Sequence, residues 1–298
     1  MPSEGVELRP KREMLTFEEL VRLADLFARL GVRKIRLTGG EPLVRKDIEH
    51  LVARLKRIDG IKTLAITTNG LLLPIKLEAL KAAGVSVFNI SLDTLRADRF
   101  REITLRDGLE TVLESIHLAL EAGYNPVKIN CVVQKGVNED ELLDFVEWTR
   151  HESLDIRFIE YMPFGGNGWD DSRFLPYIAM LSQIQDAYPT LERQNDDPNP
   201  TSKAWRVPGY EGSLGFISSM SQNFCGSCNR LRLTADGNLR MCLFGDDELS
   251  LRDAIRRGAT DVELISLIER TVSRKKASHA GMYEISSFPD RPMILIGG

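Results

Sequence analysis

Along residues 16–163 the apolar positions switch repeatedly between helical and extended spacing. In TFEELVRLADLFARLG (16–31) they recur every three or four residues behind a capping box, Thr16 with Glu19, and the run closes at Gly31. That pattern predicts an amphipathic helix. The next run, KIRLTGG (34–40), is short and predicts a buried strand. The pair then repeats as helix KDIEHLVARLKRIDG (46–60), strand TLAITTNG (63–70), helix LPIKLEALKAAG (73–84) and strand SVFNISLDTL (86–95). It continues as helix GLETVLESIHLALEAG (108–123), strand VKINCVVQ (127–134), helix NEDELLDFVEWTRHE (138–152) and strand DIRFIEYMP (155–163). Apolar, β-branched strands alternating with helices predict a parallel sheet covered by helices. The fold class is α/β, and the short connections favour an incomplete parallel barrel.

After Pro163 the alternation stops. FGGNGWDDSRF (164–174) reads as an irregular loop, and RQNDDPNPTSK (193–203) as a polar, proline-broken linker. The expected division is a barrel unit, 1–204, and a smaller C-terminal unit, 205–298. Composition is that of an ordinary soluble chain, 43% hydrophobic and 28% charged. A net charge of −4 argues against a general binder of nucleic acid or anionic membrane. No apolar run approaches the roughly 18 residues of a spanning helix, and MPSEGVELRPKREM lacks an apolar signal core. The expected compartment is the cytoplasm, where four cysteines read as thiols or metal ligands.

Functional residues of such barrels gather at the C-terminal ends of the strands. Those ends supply Arg36 with the TGGEP turn, Thr67-Thr68-Asn69-Gly70, Ser91 and Asp93, Lys128 with Asn130, and Glu160-Tyr161-Met162-Pro163. Gly39 and Gly40 would let a ligand approach bare backbone. The mixture suits a polar, anionic small molecule. Each residue also has a plainer reading. TGGEP can be a tight turn, Ser91 and Thr67 turn or capping residues, and Cys131 a packed thiol. Lys128 inside an apolar strand is harder to dismiss, because Lys is rarely buried without a partner. His50, His117 and His151 fall on helices and receive no chemistry, and the RKK run (274–276) reads as a solvated helix end.

FCGSCNRLRLTADGNLRMC (224–242) holds three of the four cysteines, as Cys225-x2-Cys228-x13-Cys242, with Arg230 and Arg232 directly after the second. Zinc, an iron–sulfur cluster and a redox dithiol are the candidate readings. A dithiol leaves the third cysteine surplus, and structural zinc usually closes four ligands. Three thiolates also suit a four-iron cluster with one iron open to substrate. Spacing alone leaves cluster and zinc both standing.

TGGEPL (38–43), ITTNG (66–70), ISLDTL (90–95), KINCVV (128–133), RFIEYMP (157–163), CGSCNRLRLTADGNLRMC (225–242) and the terminal IGG (296–298) match one family in order and spacing. The chain resembles the GTP 3′,8-cyclases, radical S-adenosylmethionine (SAM) enzymes that start molybdenum cofactor synthesis, over essentially its whole length. The resemblance implies a six-unit βα barrel of radical SAM type and a C-terminal domain carrying a second [4Fe-4S] cluster. It implies that Cys225, Cys228 and Cys242 hold that cluster, whose open iron meets the guanine of GTP. It assigns Arg36, Thr67, Lys128, Arg230 and Arg232 to GTP, and Gly40, Ser91 and Met162 to SAM. Gly297 and Gly298 match a glycine tail that reaches into the active site. The implied reaction converts GTP to (8S)-3′,8-cyclo-7,8-dihydroguanosine 5′-triphosphate: a 5′-deoxyadenosyl radical takes hydrogen from ribose C3′, and C3′ then attacks C8. Cyclic pyranopterin monophosphate synthase is the implied next enzyme, and a homodimer is left open.

One departure stands out. In the family the radical-generating [4Fe-4S] cluster sits in a CxxxCxYC motif followed directly by MP, whereas this chain reads MPSEG from Met1. The three cysteines, the first barrel strand, a SAM-contacting tyrosine and an upstream GTP-binding arginine are therefore expected to lie outside these 298 residues. Five strands are counted where six are implied. The expectation is an N-terminally truncated chain, an internal methionine having been taken as the start, inactive as a cyclase by itself. A short nucleotide- or metal-binding form without radical chemistry is one alternative. Another radical SAM enzyme with an auxiliary cluster is the second.

Overall fold

The computed structural model describes residues 10–165, 167–195, 201–244 and 248–275. Helix α1 (Phe17–Arg29) starts at the capping box, with the Thr16 side chain accepting from Glu19 N–H and the Glu19 carboxylate accepting from Thr16 N–H. The alternation then follows as β1 (Lys34–Leu37), α2 (Ile48–Lys56), β2 (Thr63–Thr68), α3 (Leu73–Ala83) and β3 (Val87–Ser91). A helix the sequence pattern missed, α4 (Ala97–Thr104), precedes α5 (Leu109–Glu121). It buries only Phe100, so it leaves no apolar stripe to read. After β4 (Val127–Val133) come α6 (Leu142–Trp148) and β5 (Leu154–Glu160). The helix expected over 138–152 opens as a 3₁₀ turn at Glu139–Glu141, where Glu141 turns inward instead of starting an α-helical face.

β1 through β5 pair in parallel and in chain order, with β1 at the edge of the sheet. Beyond α7 (Tyr177–Ala187) come β6 (Glu192–Arg193), β7 (Lys203–Arg206) and β8 (Ser213–Ile217). β8 adds to β5 as a further parallel strand, and β7 and β6 return antiparallel beside it. Gly212, just before β8, packs where a Cβ would lie 2.5 Å from the Leu154 carbonyl oxygen, so the backbones meet there without a side chain. The result is an open, mostly parallel barrel wall with helices on its outside. Strand residues Leu64, Ile66, Phe88, Ile90, Ile129, Cys131, Ile156 and Phe158 face those helices in one continuous core.

A three-stranded antiparallel sheet, β9 (Arg232–Leu233), β10 (Asn238–Arg240) and β11 (Glu248–Ser250), is followed by α8 (Leu251–Arg256) and α9 (Asp261–Val272). This layer packs on α1, which is apolar on two sides. Ala24 and Ala28 point to the barrel core, and Leu23 and Leu26 to a second core with Leu239, Met241, Leu251, Leu264 and Ile268. Burying each such Leu or Ile side chain contributes about 1.5–3 kcal/mol. Polar ties fix the orientation: Arg22 Nε donates to Asp261 at 2.9 Å, Arg256 Nε to Glu19 at 2.8 Å, and Arg252 Nη1 to the Glu13 carbonyl at 2.6 Å. The segment carrying Cys225–Arg232 is thereby anchored at both ends, by β8 before it and the α1 layer after it.

Candidate functional site

Strand alternation puts one set of side chains under the helices and the other on the concave face. The register aligns Thr67, Asn89, Lys128, Asp155 and Ser213 in one row across the concave face. Ser91, Asn130, Arg157 and Gly215 form the next row toward the C-terminal ends. Arg36 lies with Ala65 and Val87 on the same face, one row nearer the N-terminal ends. A purely structural wall would carry apolar residues here. Instead, Thr67 Oγ1, both amide atoms of Asn89 and Asn130 Oδ1 are buried without a hydrogen-bond partner. Orphaned polar atoms clustered on one face are what a bound polar molecule would satisfy.

Positive charge is concentrated beside them. Burial, then the neighbouring charges of Arg157, Arg230 and Arg232, pushes the Arg36 guanidinium down to about 10. Burial also brings Arg232 down to about 10, with Arg230 adding to the effect. Lys128 is lowered by burial and by Arg157, although Asp155 works in the opposite direction. Arg36, Lys128, Arg157, Arg230 and Arg232 thus converge on one lobe of a chain whose net charge is −4. The sequence reading named four of these and missed Arg157. The signal was available, because Arg157 alternates with the core residues Ile156 and Phe158 and so faces the same side as Asn130. A cavity of about 360 Å³ at the opposite, N-terminal ends of β3 and β4 is lined by Lys81, Ser86, Tyr124, Asn125 and again Lys128.

Asp155 is the counter-charge. Its Oδ2 accepts from Lys128 Nζ at 3.1 Å and from Arg157 Nε and Nη2 at 3.0 and 2.7 Å. Burial opposes its ionisation, but Arg157 and Lys128 hold the carboxyl below its usual range.

The three residues matched to SAM lie at C-terminal strand ends. Gly40 belongs to the turn after β1, where Gly39 has φ +118°, a conformation closed to most side chains. Glu41 braces that turn by accepting from Leu43 N–H at 2.9 Å, Thr68 Oγ1 at 2.8 Å and Asn69 N–H at 2.7 Å. Ser91 closes β3 beside Asn130. Met162 follows β5 and packs in a small apolar cluster with Phe244, Phe164, Met220 and Cys242. The Met162 position and the third cysteine are therefore neighbours.

Cys225 and Cys228 flank a 3₁₀ turn, and Cys242 follows β10. All three are half-buried, and none is in a disulfide among the described residues. Burial raises the Cys228 thiol, yet the Arg230 N–H and guanidinium and the Lys275 ammonium outweigh it and bring the thiol down to about 7. Arg230 Nη2 and Lys275 Nζ both stand 3.5 Å from Cys228 Sγ. Arg230 also stacks on the Phe224 ring at 4.6 Å. Lys275 corrects the reading of the RKK run as solvated, since its ammonium donates to the Cys228 and Arg230 carbonyls at 2.8 and 2.9 Å. Among the described residues no three His, Cys, Asp or Glu side chains converge as a metal cage. The donor chemistry fits a thiolate-held cluster: Cys228 and Cys242 both act on Arg232, and the Cys228 thiol is brought down to about 7, toward the thiolate such a site needs. Gly297 and Gly298 lie outside the described residues. No described helix is long and apolar enough to cross a membrane.

Comparison with known proteins identifies the family. Residues 2–149 match the radical SAM superfamily, and residues 154–281 match the family described as Molybdenum Cofactor Synthesis C. "Molybdenum cofactor biosynthesis protein 1" of Dictyostelium discoideum is 54% identical over 300 residues, covering 100% of this chain and 48% of that protein. "GTP 3',8-cyclase, mitochondrial" of Arabidopsis thaliana is 52% identical over 298 residues, covering 100% of this chain and 76% of that protein. The chain spans about half the length of the relatives that bear the first name. Among solved structures, Streptococcus suis SuiB aligns with a TM-score of 0.61 at 15% identity, over 82% of this chain and 60% of that one, a likeness of fold alone. The parallel wall is accordingly a partial radical SAM barrel with a C-terminal domain. Full-length identity above half, with both family segments in order, makes this chain a member of the GTP 3′,8-cyclase family of molybdenum cofactor biosynthesis, within the radical SAM superfamily.

Proposed function

We propose that this chain supplies the nucleotide-binding barrel and the C-terminal cluster site of a GTP 3′,8-cyclase, which forms (8S)-3′,8-cyclo-7,8-dihydroguanosine 5′-triphosphate from GTP. The observation that carries this reading is the lobe of five buried or half-buried cations facing orphaned polar atoms. Arg36, Lys128, Arg230 and Arg232, joined by Arg157, bind the triphosphate, and Thr67 offers its unpaired hydroxyl to the nucleotide. Such fixed charges are expensive to hold together unless an anion compensates them. Gly40 presents bare backbone to SAM, with Ser91 and Met162 beside it. Cys225, Cys228 and Cys242 hold a [4Fe-4S] cluster, with Arg230 and Lys275 neutralising thiolate charge. When bound, SAM and the clusters supply the radical chemistry, and the residues named here bind and orient. The glycine tail, Gly297 and Gly298, takes part in catalysis as the family resemblance implies. The product passes to cyclic pyranopterin monophosphate synthase, in the cytoplasm.

Calorimetric titration with GTP and with guanosine tests the assignment. Each charge-assisted phosphate contact is worth about 1.5–3 kcal/mol, so GTP should bind at least about 100-fold more tightly than guanosine. Equal affinities would overturn the triphosphate reading.

A further inference from the structure

We infer that Asp155 is a positioning residue that pre-aligns Lys128 and Arg157 as one fork for the phosphate chain, an inference that rests on the nucleotide reading above. A carboxylate in a site built for a polyanion is at first sight misplaced. Coulomb's law makes it repel phosphate wherever it stands within a few ångströms. Geometry supplies the reason for its presence. One oxygen, Oδ2, takes the Lys128 ammonium at 3.1 Å and two Arg157 nitrogens at 3.0 and 2.7 Å. Asp155 is the register partner of Lys128 and lies two residues before Arg157 on the same face of β5. Its side chain is 13% exposed, and that of Arg157 only 12%.

Without this tie, two long side chains carrying like charge would swing apart. Each would then lose rotamer entropy when the ligand arrives. With it, both cations stand side by side before the nucleotide binds. Both cations belong to the concave face, Lys128 in the Asp155 row and Arg157 in the next. The planar Arg157 guanidinium has five N–H groups, of which the Asp155 contact occupies two. The repulsion between Asp155 and phosphate is offset because two cations flank the carboxylate.

Positioning and simple electrostatics predict opposite signs, which makes the test sharp. Asp155→Asn removes a negative charge from an anion site. Electrostatics alone would tighten GTP binding. Positioning predicts that the GTP Kd rises about tenfold while the guanosine Kd stays within about twofold, so the ratio between the two ligands falls. GTP binding that is unchanged or tighter in Asp155→Asn would overturn the inference. An equal loss for GTP and guanosine would also overturn it, by showing a structural role only. Should Asp155→Asn fail to fold, Asp155→Glu keeps the charge but moves it by one methylene. A reduced GTP-to-guanosine ratio there supports positioning, and an unchanged ratio refutes it. Failure of the underlying reading is separately visible, since the wild-type chain would then not distinguish the two ligands.

Discussion

Glu160 Oε2, at the end of β5, accepts the backbone N–H of Ser221 at 2.9 Å, tying the barrel wall to the turn that leads into Cys225. The same carboxylate accepts from Met220 N–H and Tyr177 N–H, both at 2.8 Å, and from the Ser221 hydroxyl. Its side chain is fully buried, so these donors are its solvation. Glu160→Ala would leave one buried and several part-buried donors unpaired, at up to about 1–3 kcal/mol each and partly relieved by water. The expected destabilisation is about 3–5 kcal/mol in urea unfolding, a large single-site effect. Amide exchange should accelerate first in residues 218–228. A loss below about 1 kcal/mol would show that the carboxylate is not the tie.

Much of this wall was legible in the chain, and the reason is periodicity. From Thr16 to Glu160 each strand alternates core and concave residues, so the alternation alone places Arg36, Thr67 and Lys128 on one face. What escaped was held by contacts that have no period. Lys275 reaches Cys228 across 47 residues, and Glu160 meets Ser221 across 61. β8 joins β5 from beyond the segment 193–203 that composition marks as a linker, and the three-stranded sheet begins only at Arg232. Short strands such as Arg232–Leu233 and Glu248–Ser250 are too brief for an alternation to emerge. Family motifs, not spacing, pointed to the cysteines as a cluster site.

Clustering of arginines should depress the stability of the empty protein. For Arg36 burial and the neighbouring arginines lower the pKa of the folded state to about 10. Below pH 10 the folded chain therefore carries the full cost of holding this charge among others. That cost is lifted as pH rises above about 10, where the unfolded chain binds more protons than the folded one. Arg36→Met keeps the aliphatic stem and removes the charge. It should raise the Tm of the ligand-free protein at pH 7 by about 2–4 °C for each kcal/mol recovered, and the gain should shrink above pH 10. The GTP-induced thermal shift should fall by more than half. A lower Tm in the empty protein would mean that Arg36 is satisfied by neighbours and not strained by them.

Cys225, Cys228 and Cys242 should take up iron and sulfide together. After anaerobic reconstitution the chain is expected to carry near four irons, with broad visible charge-transfer absorbance that oxygen bleaches. Replacing any one cysteine by Ala should remove that absorbance. Lys275→Met should leave iron loading possible but make it slower below pH 7, because the Cys228 thiolate loses one of its two cationic neighbours. Stoichiometric zinc with negligible sulfide would refute the cluster and favour a structural metal.

Binding and radical generation should separate in the 298-residue polypeptide. It contains four cysteines, three of them in the C-terminal site. The fourth, Cys131, is buried in the barrel wall at 2% exposure, and burial, with Asp93 and Glu141 nearby, pushes its thiol up. It donates weakly to the Asp93 carbonyl at 3.7 Å and faces the helices, so it can join no second cluster without unfolding β4. None of the 298 residues supplies a CxxxCxYC set. Given reductant, SAM and GTP, this polypeptide should therefore bind GTP and release no 5′-deoxyadenosine above a no-protein control. SAM affinity should be poor, with Gly40, Ser91 and Met162 holding it alone. Among the described residues β1 is the outermost strand of the parallel run. Detection of 5′-deoxyadenosine from the 298 residues would show that the C-terminal cysteines themselves deliver the electron to SAM.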